Sequence, residues 1–442
     1  MKRYAIWWAF ALVLLASPML FDSSLSRTLL SQMGIAIIVC LSYNMLLGQG
    51  GMLSFGHAVY SGMGGFLAIH TLNLVSDGQW WLPVSVIPIA GGVGAALVAV
   101  VLGWVTTKKA ATPFAMITLG VGELVWAMSL MFPEFFGGEG GISGDRVTGA
   151  TPFGITYGPQ VQLYYLIAAY TFVCTALMYA FTCTPLGRML NATRDNPERV
   201  EFVGFNTQMV RYITFVFAGF FAGTAGGLSA LNFEIVTAEV VGLQRSGAYL
   251  LFTFLGGATV FFGPILGAIL MVLALVLFSE FTNAWLLYLG LVFVFMVMYA
   301  PGGFAGILLH NIRVWKEGLM RDLLKPYAVL SAAALPGFVG VTVLVEMLYH
   351  RQLNAGLDPV LQMYGMSWDT AAGMPWGQAC LLALVGAAVF EWARRKFARS
   401  WSDVQAAIEL RDRQRAAQLA AMHSKRFIDA GQIPSSAVGG GL

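Results

Sequence analysis

The chain has 442 residues, of which 58% are hydrophobic and only 11% charged. A soluble domain carries roughly a quarter charged residues, so that class is excluded. The net charge of +3 offers nucleic acid no extended basic surface, and no GxxxxGKS or GxxxxGKT run, catalytic triad or zinc-type spacing occurs, so neither ATP hydrolysis nor metal chemistry is expected of this chain. The four cysteines, Cys40, Cys174, Cys183 and Cys380, form no CxxC pair and read as small hydrophobes.

In chain order, Lys2 and Arg3 precede an apolar run at 5–21 that mimics a signal peptide. No small-x-small cleavage site precedes a polar domain, so a retained first helix is expected. Runs near the ~20 residues needed to cross a bilayer follow at 28–47, 57–75, 82–105, 112–132, 161–181, 212–232, 247–262, 264–281 and 285–300. Two more lie at 327–349 and 375–391. The expected fold is an all-α polytopic membrane protein. If the N-terminus is cytoplasmic and every run crosses, all 25 Lys and Arg except Arg27, Arg146, Arg245 and Arg351 fall inside, and both termini are cytoplasmic. The expected divisions are a core of about ten spans over 1–325, two further spans over 326–392, and a basic amphipathic helix with a disordered end over 393–442.

Several stretches carry more than length. "GQGGMLSFGHAVYSGMGG" at Gly48–Gly65 interrupts two apolar runs with glycines that permit sharp turns. Irregular backbone at membrane depth survives only beside protein or a water-filled cavity. The stretch is therefore either a tight loop at the membrane surface or a broken helix bordering a substrate pathway. On the second reading, Gly50, Gly51, Ser54, Phe55, Gly56 and His57 line that pathway. His57 by itself points to a satisfied core histidine rather than to a ligand or proton shuttle.

Gly91, Ala95, Ala99 and Gly103 form one small-residue stripe, and Gly219, Gly223 and Gly227 another. Such stripes let helices approach closely in lipid. Glu123 lies near the middle of 112–132, where a carboxylate costs about 2.5–3.5 kcal/mol on insertion scales, so it is expected to face the bundle interior. There it lines or gates a route, or makes an interhelical hydrogen bond. "GGEGGISGDR", within Pro133–Gln160, reads as an extracytoplasmic loop that either contacts a binding protein or is a flexible surface loop.

Between Pro185 and Arg211, Asn196 suits an N-cap, Pro197 the first helical position and Gly204 a left-handed stop. That predicts a short helix at about Pro197–Val203, with Glu198 and Glu201 on one face and Val200 and Val203 on another. It is either a connector or a docking knob. "FLGGATVFFGPILG" at Phe254–Gly267 is read as a tight cytoplasmic turn between two short spans. In the tail, Phe397, Trp401, Val404 and Ile408 form one helical stripe, suited to an anionic lipid surface or to a partner, or else simply part of a solvated helix. The end, "PSSAVGGGL", is expected to be disordered.

Three of these stretches together resemble the permease subunits of branched-chain amino acid ABC importers, the LivM type. They are "LSYNMLLGQGGMLSFGHAVYSGMGGFLA" at Leu41–Ala68, "PFAMITLGVGELVW" at Pro113–Trp126, and "RDNPERVEFVGFNTQMVRYITFVFAGFFAGTAGGLSA" at Arg194–Ala230. The similarity covers roughly residues 25 to 310 and leaves out the C-terminal extension. It implies an ABC importer permease-like helical bundle with broken or short helices, in a bacterial inner membrane. It also implies that Arg194, Asp195, Asn196, Pro197, Glu198, Arg199, Glu201, Gly204 and Asn206 form the segment that couples to the ATPase. The alanines of the family's EAA loop are absent, since Arg199 and Val200 follow Glu198.

The implied partners are two cytoplasmic ATPase subunits that bind ATP-Mg, a second homologous permease subunit and a periplasmic substrate-binding protein, with membrane lipids around them. The chain itself would carry no cofactor. The implied substrate is a branched-chain amino acid; urea, amides and aromatic or other carboxylic acids are alternatives in the same class. Two readings from other classes stay open. One is a proton-coupled transporter using Glu123 and His57 as a relay; the other is a membrane scaffold using the tail.

Overall fold

The computed structural model describes residues 2–147, 156–353 and 360–429. The chain folds as two compact units, Met1–Ile307 and Leu308–Leu442, a division that lies upstream of the composition change near Lys325. The helices in order are α1 Lys2–Leu20, α2 Ser24–Asn44, α3 His57–Ser76, α4 Ile87–Thr106, α5 Ala111–Met131, α6 Gln160–Cys183, α7 Pro185–Asp195, α8 Pro197–Phe202, α9 Thr207–Phe233, α10 Leu243–Gly256, α11 Gly263–Leu273, α12 Trp285–Tyr299, α13 Gly303–Lys316, α14 Met320–Leu353 and α15 Gly373–Asp429. Among the described residues, sheet is confined to two short antiparallel pairs, β1 Ile142–Ser143 with β2 Ile235–Val236 and β3 Val360–Met363 with β4 Met366–Asp369. The protein is an all-α polytopic membrane protein.

The small-residue stripes find each other. A Cβ on Gly219 would meet Ala99, and one on Gly223 would meet Ala95 and Gly91. Gly103 packs on Phe215, and Gly227 on Pro88. Gly64 of α3 joins the same crossing, against Gly223 and Gly91, so the backbones of α3, α4 and α9 touch at one point. Dispersion and close backbone approach replace the hydrophobic force that lipid does not supply. α2 completes this core, with Ile38, Cys40, Leu41 and Tyr43 fully buried.

Among the described residues, nine helices are long and apolar enough to cross a membrane, or ten if the bent pair α12 and α13 counts as one span. Two expected spans change character. The apolar part of the first is only Ala5–Leu20, and it packs Trp7 against Phe172, Tyr179 and Phe262. The expected span 247–262 is instead the 14-residue α10, which ends at Gly257 with φ +113°. At 1.5 Å per residue it reaches only about 21 Å, short of a hydrocarbon core of about 30 Å.

The described part of the Pro133–Gln160 loop is fastened rather than free. Arg146 donates to the carbonyls of Tyr157 (2.9 Å), Gly158 (3.2 Å) and Leu231 (3.1 Å), beside the pairing of β1 with β2.

In the second unit, the expected span 375–391 and the tail are one helix, the 57-residue α15. It packs on the 34-residue α14 through Gly337 against Gly386 and Gly340 against Ala383. The tail stripe is covered by its own chain: Val404 and Ile408 are buried with Val314 and Leu323, and the Phe397 ring packs tilted against Tyr327 with centroids 4.8 Å apart. This corrects the expectation that the stripe meets lipid or a partner. Arg313 pairs with Asp412, and Arg415 with Glu317 at 2.8 Å, which seals the same packing. The terminal stretch Pro434–Leu442 lies outside the described residues.

Candidate functional site

The glycine-rich stretch does break the helix. α2 widens into a π-type turn at Met45–Gln49, Gly51 takes φ +63°, and regular structure resumes only at His57. The break starts beside α7, where Gly50 abuts Leu190 and Gly51 abuts Arg194. It ends against the middle of α5. There the Phe55 N–H donates to Thr118 Oγ1 at 3.1 Å, and a side chain at Gly56 would strike the Thr118 carbonyl. Irregular backbone thus runs into the bundle, enclosed by protein, as the low-dielectric setting requires.

The break is polar and only partly satisfied. Tyr43 donates to the Ser54 carbonyl at 2.8 Å. His57 is fully buried, its Nε2 paired with the Ser42 hydroxyl at 2.9 Å and its ring edge-on to Tyr43. Its Nδ1 has no protein partner among the described residues, and neither have Asn44 Oδ1, Gln49 Oε1 and Ser54 Oγ, all buried. The expected satisfied histidine is therefore half satisfied. Four buried polar atoms without a partner in one short segment are uncommon, because buried polar groups are as a rule paired.

Glu123 is exposed on this chain, which corrects its expected placement in the bundle interior. α5 buries the face of Thr118, Gly122, Val125 and Ser129, and Glu123 lies one residue round from it. Glu123 is exposed while His57 is fully buried, and among the described residues no hydrogen bond joins them into a relay.

The segment 194–206 folds as its residue types dictate. Asn196 Oδ1 accepts from the Arg199 N–H at 3.0 Å, Pro197 opens α8, and Gly204 takes φ +93°. Asn206 caps α9 by accepting from the Met209 N–H at 3.0 Å. Val200 is buried and anchors the turn, whereas Val203, expected on the same face, is 69% exposed. Phe202 is 89% exposed and Phe205 47%, so the tip is apolar and uncovered. Pro197, Glu198 and Arg199 are also exposed.

Two side chains tie this knob to the bundle. Glu201 accepts from Thr207 Oγ1 at 2.6 Å. Arg194, paired with Asp195 at 2.9 Å, also donates to the Gly48 carbonyl.

The second glycine-rich stretch joins the first. Gly48 packs against the Ala258 carbonyl. Gly257 in turn lies on Gly302 and Gly303, at the 50° bend between α12 and α13. Three backbone breaks are thus linked in series, Gly48 to Ala258 and Gly257 to Gly302 and Gly303, where hydropathy alone suggested only a tight turn.

Sequence reasoning missed the polar edge of α10. Ser246 accepts from the Ala58 N–H at 3.0 Å and so caps α3, whose own N-cap residue, Gly56, has no side chain. Thr253 donates to the Cys40 carbonyl at 3.3 Å. Arg245 Nε donates to the Tyr249 hydroxyl at 3.3 Å, and the Ser61 hydroxyl reaches the same oxygen at 3.5 Å. These last groups, with Gly65, Gly226 and Ser229, line an open cleft containing a cavity of about 30 Å³. One signal pointed here: Arg245 is among the four basic residues that violate the charge asymmetry. Of the others, Arg27 pairs with Asp22 and Arg146 is bonded to carbonyls.

The family model for the branched-chain amino acid transport system permease component matches residues 26–301. The high-affinity branched-chain amino acid transport system permease protein LivM of Escherichia coli is 29% identical over 290 residues, covering 61% of this chain and 67% of the relative. Its Salmonella typhimurium counterpart is 28% identical over the same shares. No solved structure matches the chain. With a family match over more than half of its length, falling on the broken helix, the capped knob and the glycine crossing, the chain belongs to the permease components of branched-chain amino acid transport systems.

Proposed function

We propose that this chain is one permease subunit of an ATP-driven importer for branched-chain amino acids in a bacterial inner membrane. Two cytoplasmic ATPase subunits would drive it, a second homologous permease would complete the route, and an extracytoplasmic binding protein would deliver substrate. The observation that carries this reading is the knob: a capped six-residue helix with exposed Phe202, Val203 and Phe205, bonded through Arg194 to the broken helix. Exposed aromatic residues on a rigid projection suit the groove of a protein partner.

The mechanism follows from the connections. Movement of α8 by the ATPases pulls on Gly48 through Arg194 and on α9 through Glu201. The linked breaks at Gly51, Gly257 and Gly303 already hold left-handed or otherwise glycine-specific backbone, so they absorb the change while the helices stay intact. Glu123, exposed at mid-span on a face this chain leaves open, would meet the second permease subunit or the water-filled route between them, since lipid is closed to it.

The test is Phe202→Asp in the reconstituted complex. Chain insertion should be normal and ATP-driven leucine uptake lost. Undiminished uptake by that variant would defeat the docking assignment. Uptake by this chain alone, energised by a pH gradient, would defeat the ATP-driven reading altogether.

A further inference from the structure

The cleft beside α10 carries a cation on which the Glu239 carboxylate acts without forming a salt bridge. Arg245 is exposed, makes no ion pair within 4.0 Å among the described residues, and bonds only to the Tyr249 hydroxyl. It occupies the first turn of α10, which has no acidic residue and no side-chain cap. A positive side chain there is opposed by the helix dipole and is stabilised by an anion held in front of it. The Tyr249 oxygen accepts from Arg245, and because the nearby Ser61 hydroxyl gives its one proton to the Ala58 carbonyl at 3.1 Å, the Tyr249 proton can turn to Ser61 or into the cleft. Ser229 adds a hydroxyl to the same wall.

Size and lining choose among anions. A cavity of about 30 Å³ offers about two water-sized positions, which matches the two oxygens of a carboxylate and leaves no room for a larger polar group. Gly65 and Gly226 keep the floor bare, while Val39, Val236 and Val240 give the cleft an apolar side. An aliphatic chain attached to the carboxylate extends along those valines towards the open mouth.

Resting on the proposed transport function, we infer that this cleft is a carboxylate subsite on the substrate route. Arg245 and Tyr249 grip the α-carboxylate of a small aliphatic amino acid there, and the valine wall receives its side chain.

The experiment uses the whole reconstituted complex with Cys183 and Cys380, the two exposed cysteines, replaced by serine. Ser229→Cys is alkylated with a small maleimide, and Val240→Cys serves as a second reporter should the first variant fold poorly. Leucine and isovalerate, which share a carboxylate, should slow alkylation; leucinamide, which lacks one, should not. Arg245→Gln should raise the leucine concentration giving half protection by about tenfold or more, the loss expected for one charge-assisted hydrogen bond. Equal protection by leucinamide, or full protection by leucine in the Arg245→Gln complex, overturns the subsite. Leucine uptake by the parent complex is measured alongside. Uptake without carboxylate-dependent protection overturns the subsite alone, whereas absence of ATP-driven uptake overturns the transport reading.

Discussion

The guanidinium of Arg194, in the last turn of α7, donates to the carbonyl of Gly48 inside the π-type turn that ends α2. One hydrogen bond thus joins the capped knob to the broken helix across a long sequence separation. A carbonyl in a π-type turn is free to accept from outside its helix, and a guanidinium can serve Asp195 and Gly48 at once.

Arg194→Ala should loosen that connection. The number of leucine molecules imported per ATP hydrolysed should fall by about tenfold, in line with a coupling energy of about 1–2 kcal/mol carried by a single contact. Paired uptake and phosphate-release assays on proteoliposomes give this ratio. An unchanged ratio would assign the bond to structure alone.

Asn196→Ala removes the acceptor for the Arg199 N–H at 3.0 Å. A lost N-cap costs about 1 kcal/mol, so α8 should open about fivefold more often. Hydrogen exchange of a peptide spanning 194–206 should speed up by that factor, with exchange in α9 beyond Val210 unaltered.

Gly223→Ala should damage the glycine crossing. Its new methyl would lie 2.8 Å from the Gly91 carbonyl oxygen and 3.2 Å from Gly92 Cα, both backbone atoms that cannot step aside. A loss of about 1–3 kcal/mol is expected from such overpacking, visible as a lower melting temperature of the purified complex. Gly290→Ala is the control: nothing lies within 4 Å of its Cβ position, so melting should be unchanged or slightly raised.

The tail packing should be acid-labile. The Glu317 carboxyl is held below its ordinary value of 4.5, first by the hydrogen bond from Arg415, with Arg411 adding to it. Arg313 and Asp412 flank the same packing. A depressed carboxyl stabilises the folded form above its unfolded value, and that contribution disappears as pH falls through the depressed one. Spin labels at Trp315 and Gln414 should therefore keep one distance at pH 7 and broaden below about pH 4. Glu317→Gln should show the broad distribution already at pH 7.

Legibility in the sequence followed how local each signal was. Asn196, Pro197 and Gly204 each fix their own backbone, so α8 could be read within one residue of its observed end. The stripes on α4 and α9 could be read because periodicity survives in any helix. The direction of Glu123 could not, because α5 is apolar on every side and periodicity has no polar face to oppose. α10 was mistaken for a span because hydropathy runs unbroken through "LLFTFLGGATVFFGPILG", while the turn at Gly257 depends on packing against Gly302 and Gly303. The cleft was invisible because it gathers Ser61, Ser229 and Arg245 from three distant helices. Only the misplaced charge of Arg245 hinted at it.

The meeting of Gly64, Gly91 and Gly223 has a mechanical consequence. With no side chains between them, α3, α4 and α9 cannot slide past one another without main-chain collision, so they behave as a welded block. That block is the fulcrum of the molecule. A displacement of α8, which is tied to α9 through Glu201, would move that block as one body, and the elements able to swing relative to it are those hung on the unwound stretches at Gly51 and Gly257.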